Sequence, residues 1–469
     1  MVNPHRICAP RYRILLPRRP VLPRQKRPFA ALRACPEPAN GVAAVAVRII
    51  LLAICISAHA SAEEWPGFRG PTGQGTSADP HPPLHWGGTQ NLAWQIETPG
   101  IGWSSPIIWG DRIFLTLTTD AGTSCHVICV AIDSGKLLWD TEAFKQQSAH
   151  KEKRNSDATS TPVTDGKRVY AFFSSGKVVA LDMDGKPVWK HEDFHFYSQQ
   201  GLGVSPILYK DLLIMPWDHS SEQPPKEPGW IKPWDQSYVL ALDAETGQVR
   251  YKAMRGMTRA SHSTPMVIDV AGKPQLISPA GDFIQAFDPL TGQKLWEVHN
   301  KGETPVPAVV YGDGLIFTNS GFEDPTIRAT RPGGAGENGD LTATHIAWEC
   351  KKAVPMIPSF LFVDHLLYSI KETGIGLCLE ADTGKIVWQE RFGTGNASFA
   401  ASPLLAAGRI YYLSEQGETT VIEPGREFKV LTSNPPPGDA GETFKASIAV
   451  SAGRFLLRSD KHLYCIQEK

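Results

Sequence analysis

Between Ser160 and Lys190 the chain alternates short apolar runs with turn dipeptides. STPVT leads into Asp165-Gly166, RVYAFF into Ser175-Gly176, VVALD into Asp184-Gly185, and PVWK closes the unit. The runs are too short for a helix to bury a face, they are rich in Val, Tyr and Phe, and each joint carries residues that turn tightly. The pattern predicts a four-stranded antiparallel meander. Helical periodicity is scarcely visible elsewhere, so the body reads as all-β.

The meander recurs. Aromatic residues of its last strand fall at Trp94, Trp139, Trp189, Tyr251, Trp296, Trp348, Trp388 and Phe428, at intervals of 45, 50, 62, 45, 52, 40 and 40 residues. Such spacing is the length of a four-stranded propeller blade. Partial units flank the array: NLAWQIE (Asn91 to Glu97) reads as a lone last strand, and three strands with no fourth follow Phe428. Together they predict one shared blade, with the strand around Trp94 beside the one around Tyr464, closing an eight-bladed β-propeller without open sheet edges.

The repeated residues have physical work to do. Asp182, Asp243 and Asp288 stand where a strand enters a turn, where an Asp carboxylate bonds backbone N–H groups two residues on. The aromatics, Trp94, Trp139, Trp189, Trp296, Trp348 and Trp388 among them, are expected to dock between neighbouring blades. The motif A-x-D-x-x-T-G-x-x-x-W resembles the tryptophan-docking repeat of the pyrroloquinoline-quinone (PQQ) propeller superfamily over roughly residues 92–469. The likeness is to its exported, cofactor-free bacterial members of BamB type. WPGFRGPTGQGTS, Trp65 to Ser77, resembles the lead-in segment of such exported propellers. Tyr251 and Phe428 in place of Trp make the motif specific for fold and weak for chemistry.

The N-terminus divides the chain further. IILLAICISA, Ile49 to Ala58, is too short to span a bilayer and fits a signal-peptide core. Small-x-small patterns follow it, and cleavage is expected after Ala62. The organisation is thus a basic leader and signal peptide over 1–62, a WPGFRGP-type segment over 63–91 and a propeller over 92–469. Export to the periplasm or beyond is expected, with no membrane span after cleavage. Ten of the 47 basic residues but only one of the 48 acidic ones precede residue 63, leaving the body at about −10. An acidic body argues against a nucleic-acid partner. Cys125, Cys129, Cys350, Cys378 and Cys465 remain after the leader, an odd and scattered set that reads as buried thiols.

Candidate chemistry is sparse. First strands open with a small polar residue and proline, as at Ser105-Pro106, Thr161-Pro162, Ser205-Pro206, Thr264-Pro265 and Ser402-Pro403, with Val306-Pro307 in the fifth blade. Such strands line a propeller's channel, so the channel mouth is the expected ligand site, with Trp103, Ser104, Asp157, His262, Ser263 and Arg331 as its candidates. Insertions at 218–237 and 323–340 account for the long intervals, and their Trp230, Trp234 and Arg328 are candidate partner contacts. The superfamily's cofactor chemistry takes PQQ, calcium and an Asp base, and its dehydrogenases carry adjacent cysteines. This chain has no adjacent cysteines. No G-x-S-x-G or H-E-x-x-H motif occurs either. The reading is a non-enzymatic, monomeric propeller in the cell envelope that binds protein or glycan, without catalytic residues, metal or cofactor; the alternative is a PQQ-dependent oxidoreductase.

Overall fold

In the computed structural model, residues 63–147, 151–300, 302, 304–334, 336–438 and 441–468 are described. The leader and cleavage site expected over 1–62 lie outside them. The described chain is all-β: eight blades of four antiparallel strands, with one four-residue helix at Thr342–His345 and a 3-10 turn at Asp120–Gly122. Blade 1 runs Ile107–Trp109, Arg112–Thr119, Ser124–Ala131 and Leu137–Lys145, and the next six follow the same order. Blade 8 takes Ala449–Ser451, Arg454–Arg458 and His462–Gln467 from the C-terminal end and Leu92–Glu97 from the other, with Gln95 opposite Tyr464.

The two middle strands of a blade are largely buried, as at Leu315–Asn319 and Ile327–Thr330, while outer strands alternate, as at Leu92–Glu97, because only the outermost strand meets water on one face. Apolar side chains of neighbouring blades interlock: Ile113, Leu115 and Ile128 of blade 1 pack with Phe455, Leu457 and Tyr464 of blade 8.

The tryptophans dock as the repeat implies. Trp94 Nε1 donates to the Ile132 carbonyl at 2.8 Å, Trp139 to Met183 at 2.9 Å, Trp189 to Ala244 at 3.1 Å and Trp348 to Ala381 at 2.8 Å, each reaching the turn of the following blade. Asp243 organises such a turn by accepting the amides of Glu245 and Thr246. Gly247 shows why the turn needs glycine twice over: its φ is +76°, and a Cβ would stand 2.7 Å from the Trp189 ring.

Blade 4 departs from this scheme, and the departure explains the insertion at 323–340. Trp296 finds no docking turn and instead donates to Gln275 Oε1 at 2.8 Å, while Gln275 donates to the Gly333 carbonyl. Gly333 packs on the indole so closely that a Cβ would stand 2.6 Å away. The insertion therefore covers the docking tryptophan. Arg328 is corrected with it: the residue belongs to the strand Ile327–Thr330, is 8% exposed, and is tied to Glu349, the His299 carbonyl and Asn300. It is a core strand residue, not a loop contact.

Candidate functional site

Where the first strands begin, the chain builds a collar of hydroxyls. The Ser447 amide donates to Ser105 Oγ at 3.1 Å, the Ser105 amide to Thr161 Oγ1 at 2.9 Å, Thr161 to Ser205 at 3.0 Å and Ser205 to Thr264 at 3.1 Å. On the far side Ala308 donates to Ser359, Ser359 to Ser402 and Ser402 to Ser447, each at 3.0 Å. Every collar residue stands two positions before its first strand, so the relay passes from blade to blade around the ring. It breaks once, after Thr264, because the fifth position is Ala308 and has no hydroxyl.

The collar lines a cavity of about 210 Å³ on the channel axis. A second tier stands above it. Side chains alternate along extended backbone, so the residue two before each collar position faces the same space. These are Trp103, Thr159, Gly203, His262, Val306, Ile357, Ala400 and Lys445, and all eight line the cavity. The collar is built from repeated Ser and Thr, whereas the tier is chemically diverse.

The same alternation turns two expected site residues away from the cavity. Ser104 and Ser263, one position out of phase, turn into the sheet: Ser104 Oγ donates to the Thr116 carbonyl and accepts from Arg458, and Ser263 Oγ donates to the Pro307 carbonyl. Asp157 is buried, pairing with Lys151 Nζ at 2.7 Å and accepting from Ser174 at 2.8 Å. Arg331 follows the third strand of blade 5 and does not line the cavity. Trp103 and His262 do line it, and Lys445 is the charged tier residue among those that sequence reasoning did not single out. Lys445 lies in a blade whose first strand lacks the proline signature, so nothing marked it.

His262 is the anomaly of the tier. The side chain is 4% exposed, yet neither Nδ1 nor Nε2 has a hydrogen-bond partner among the described residues. Burial pushes its pKa down to about 4, so the ring is neutral at ordinary pH. Lys445 Nζ lies 4.8 Å above the Trp103 ring and donates to the Arg154 carbonyl at 2.9 Å. Burial also lowers the Lys445 pKa. Glu152, Arg154 and Glu415 complete the charged rim, two anions against the two cations Arg154 and Lys445.

The WPGFRGP segment lies across the other end of the channel. Trp65 bridges Ile108, the Pro66 carbonyl accepts from Thr164, Gln74 Oε1 accepts from Tyr311, and Thr76–Ser77 pairs in parallel with Leu404–Ala406. Phe68 reaches the cavity from this side. Arg69 pins the crossing from within, donating to the Gly73, Gln74 and Phe360 carbonyls. Among the described residues no carboxylate pairs with it, and burial pulls its pKa down to about 9.

Among the described residues no three His, Cys, Asp or Glu side chains converge as metal ligands, and Asp157 is committed to Lys151 and Ser174. No cofactor-dependent step is assigned. The insertion at 218–237 is pinned: Trp234 and Thr258 exchange backbone hydrogen bonds, Trp234 lies against His219 with centroids 5.0 Å apart, and Asp218 is buried against Arg255. Trp230 sits in the turn of that insertion, beside the exposed Ile231.

Known proteins show the same architecture. Residues 87–193 and 281–426 match the family described as outer membrane protein assembly factor BamB. No curated protein sequence matches the chain. Among solved structures, BamB from Moraxella catarrhalis is 14% identical with a TM-score of 0.53, over 81% of this chain and 97% of that one. The computationally designed Ika8 protein is 12% identical with a TM-score of 0.54, over 79% and 98%. A europium-containing methanol dehydrogenase is 11% identical with a TM-score of 0.46, over 84% and 89%.

Proposed function

We propose, on the premise that this chain belongs to the outer membrane protein assembly factor BamB family, that it is an exported, non-enzymatic propeller that holds another protein in the cell envelope. The family match across both halves of the ring is the observation that carries the reading. The signal-peptide pattern of Ile49 to Ala58 agrees with export. Among the described residues no helix is long and apolar enough to cross a membrane.

The contact surface is assigned to the insertion at 218–237 and the segment it is stapled to. Ile231 is 51% exposed and Met257 59% exposed, on two segments joined by the backbone hydrogen bonds of Trp234 with Thr258 and of Ala260 with Gly229. Apolar side chains held rigidly outward lose little entropy on binding, which suits them to a partner's surface.

The test compares the mature chain with an Ile231→Ser/Met257→Ser variant as baits in an envelope extract. Wild type is expected to retain a defined protein that the equally stable variant loses. An identical set on both baits removes the surface. Quinone absorbance and dye reduction after loading with PQQ and calcium would replace the scaffold reading with an oxidoreductase.

A further inference from the structure

The collar hydroxyls each accept one backbone N–H, and none of the seven donates its own proton to a protein acceptor among the described residues. No two of them bond to each other. Each therefore faces the cavity with one donor and one spare lone pair. Above them stands His262, nine-tenths buried and without a partner on either ring nitrogen. Leaving such a ring unsatisfied costs free energy that a hydrophobic residue would avoid. The fold does not demand histidine there: Gly203, Ala400, Val306 and Ile357 occupy equivalent tier positions.

The chemistry of the missing partner follows from these groups. A neutral imidazole presents one N–H and one lone pair, so it is completed by groups that both accept and donate. A carboxylate accepts but does not donate, so it would satisfy only the N–H and leave the ring's lone pair facing negative charge. Hydroxyls satisfy both sides, and they match the collar in the same way. The rim adds no preference for charge, since Glu152 and Glu415 balance Arg154 and Lys445. Trp103 supplies an aromatic wall of the kind that packs against the C–H face of a sugar ring. At about 210 Å³ the cavity is smaller than pockets for drug-sized ligands, with room for one ring.

We propose that the upper channel is a saccharide site that takes one neutral sugar ring, held by His262 and the collar hydroxyls against Trp103. The ring is either a free monosaccharide or the terminal residue of a glycan. The proposal goes beyond the scaffold reading and does not depend on it, because the site lies on the axis and the 218–237 surface does not. A capture experiment that returns no protein leaves it standing.

Isothermal titration of the mature chain tests it, using methyl glycosides of common hexoses, the matching disaccharides, acetate and inorganic phosphate, each up to about 10 mM. At least one glycoside is expected to bind with a stoichiometry of about one. His262→Phe should weaken it about tenfold or more, whereas His262→Gln, which keeps a donor and an acceptor, should bind within a few fold of wild type. Thermal unfolding of His262→Phe, expected at or above wild type, separates lost recognition from lost folding. Tighter binding of the disaccharide assigns the site to a glycan end, and equal binding to a free sugar. The proposal is overturned if no glycoside binds, if His262→Phe binds like wild type, or if acetate or phosphate binds in place of the glycosides.

Discussion

The Ser447 amide donates to the Ser105 hydroxyl at 3.1 Å, joining residues 342 apart in sequence across the seam between the last blade and the first. This bond completes a relay whose one gap lies at Ala308. Ser105→Ala should therefore cost about 1 kcal/mol, and Ala308→Ser, which offers the Thr264 amide the missing acceptor, should raise stability by a similar amount. Urea unfolding checks both, as a shift in midpoint with unchanged slope.

Gly384 has φ +69°, and a Cβ there would stand 2.5 Å from the Trp348 ring. Gly384→Ala should force the indole out of its seat and cost about 1–3 kcal/mol, more than the loss of backbone freedom alone predicts. Pairing it with Trp348→Ala in a double-mutant cycle should recover much of the penalty, since the clash disappears with the ring.

The blades were legible in the sequence because each is punctuated by a turn whose residues have a local physical reason, as Asp243 does. The lining of the channel was legible only in part. A small residue before proline marks collar positions in five blades, but Ser359 and Ser447 precede Phe360 and Ile448, and Val306 lies two residues before the true fifth position, Ala308. Ser104 and Ser263 stand one residue before anchored collar positions, where alternation turns the side chain into the sheet, and residue type alone does not separate the two phases in a run of small polar residues. The insertion at 323–340 was unreadable for a different reason: its task is to cover Trp296, a contact between distant segments that no local pattern encodes.

The lead-in segment should be a structural part of the ring, because Arg69 serves three carbonyls from inside the channel. Arg69→Ala leaves those acceptors buried and unpaired, at a cost of about 2–4 kcal/mol. Limited proteolysis should then cut near residues 65–77 in the variant and spare them in wild type.

Cys125, Cys129, Cys378 and Cys465 are free and buried, and burial pushes each thiol pKa up to about 12. Thiolate is the reactive form, so these residues should resist a thiol reagent in the folded protein at pH 8. Titration before and after guanidinium denaturation checks this; labelling of the native chain at those four positions would contradict the burial that the blades impose.

His262 also makes stability depend on pH, with a sign fixed by its environment. The unfolded chain binds a proton at this residue near pH 6.5, whereas burial delays protonation in the folded state to about pH 4. Between those values the unfolded state holds more protons, so the His262 contribution favours folding above pH 6.5 and is lost as pH falls toward 4. The span corresponds to about 3 kcal/mol. Glu152, Arg154, Glu415 and Lys445 share the cavity and are the same in wild type and variant. The stability difference between wild type and His262→Phe therefore isolates the histidine: it should widen in favour of the variant as pH drops from 7 to 4.5. A difference independent of pH would mean that the imidazole is solvated or paired in the folded protein, and the argument for an incomplete partner at this position would fall with it.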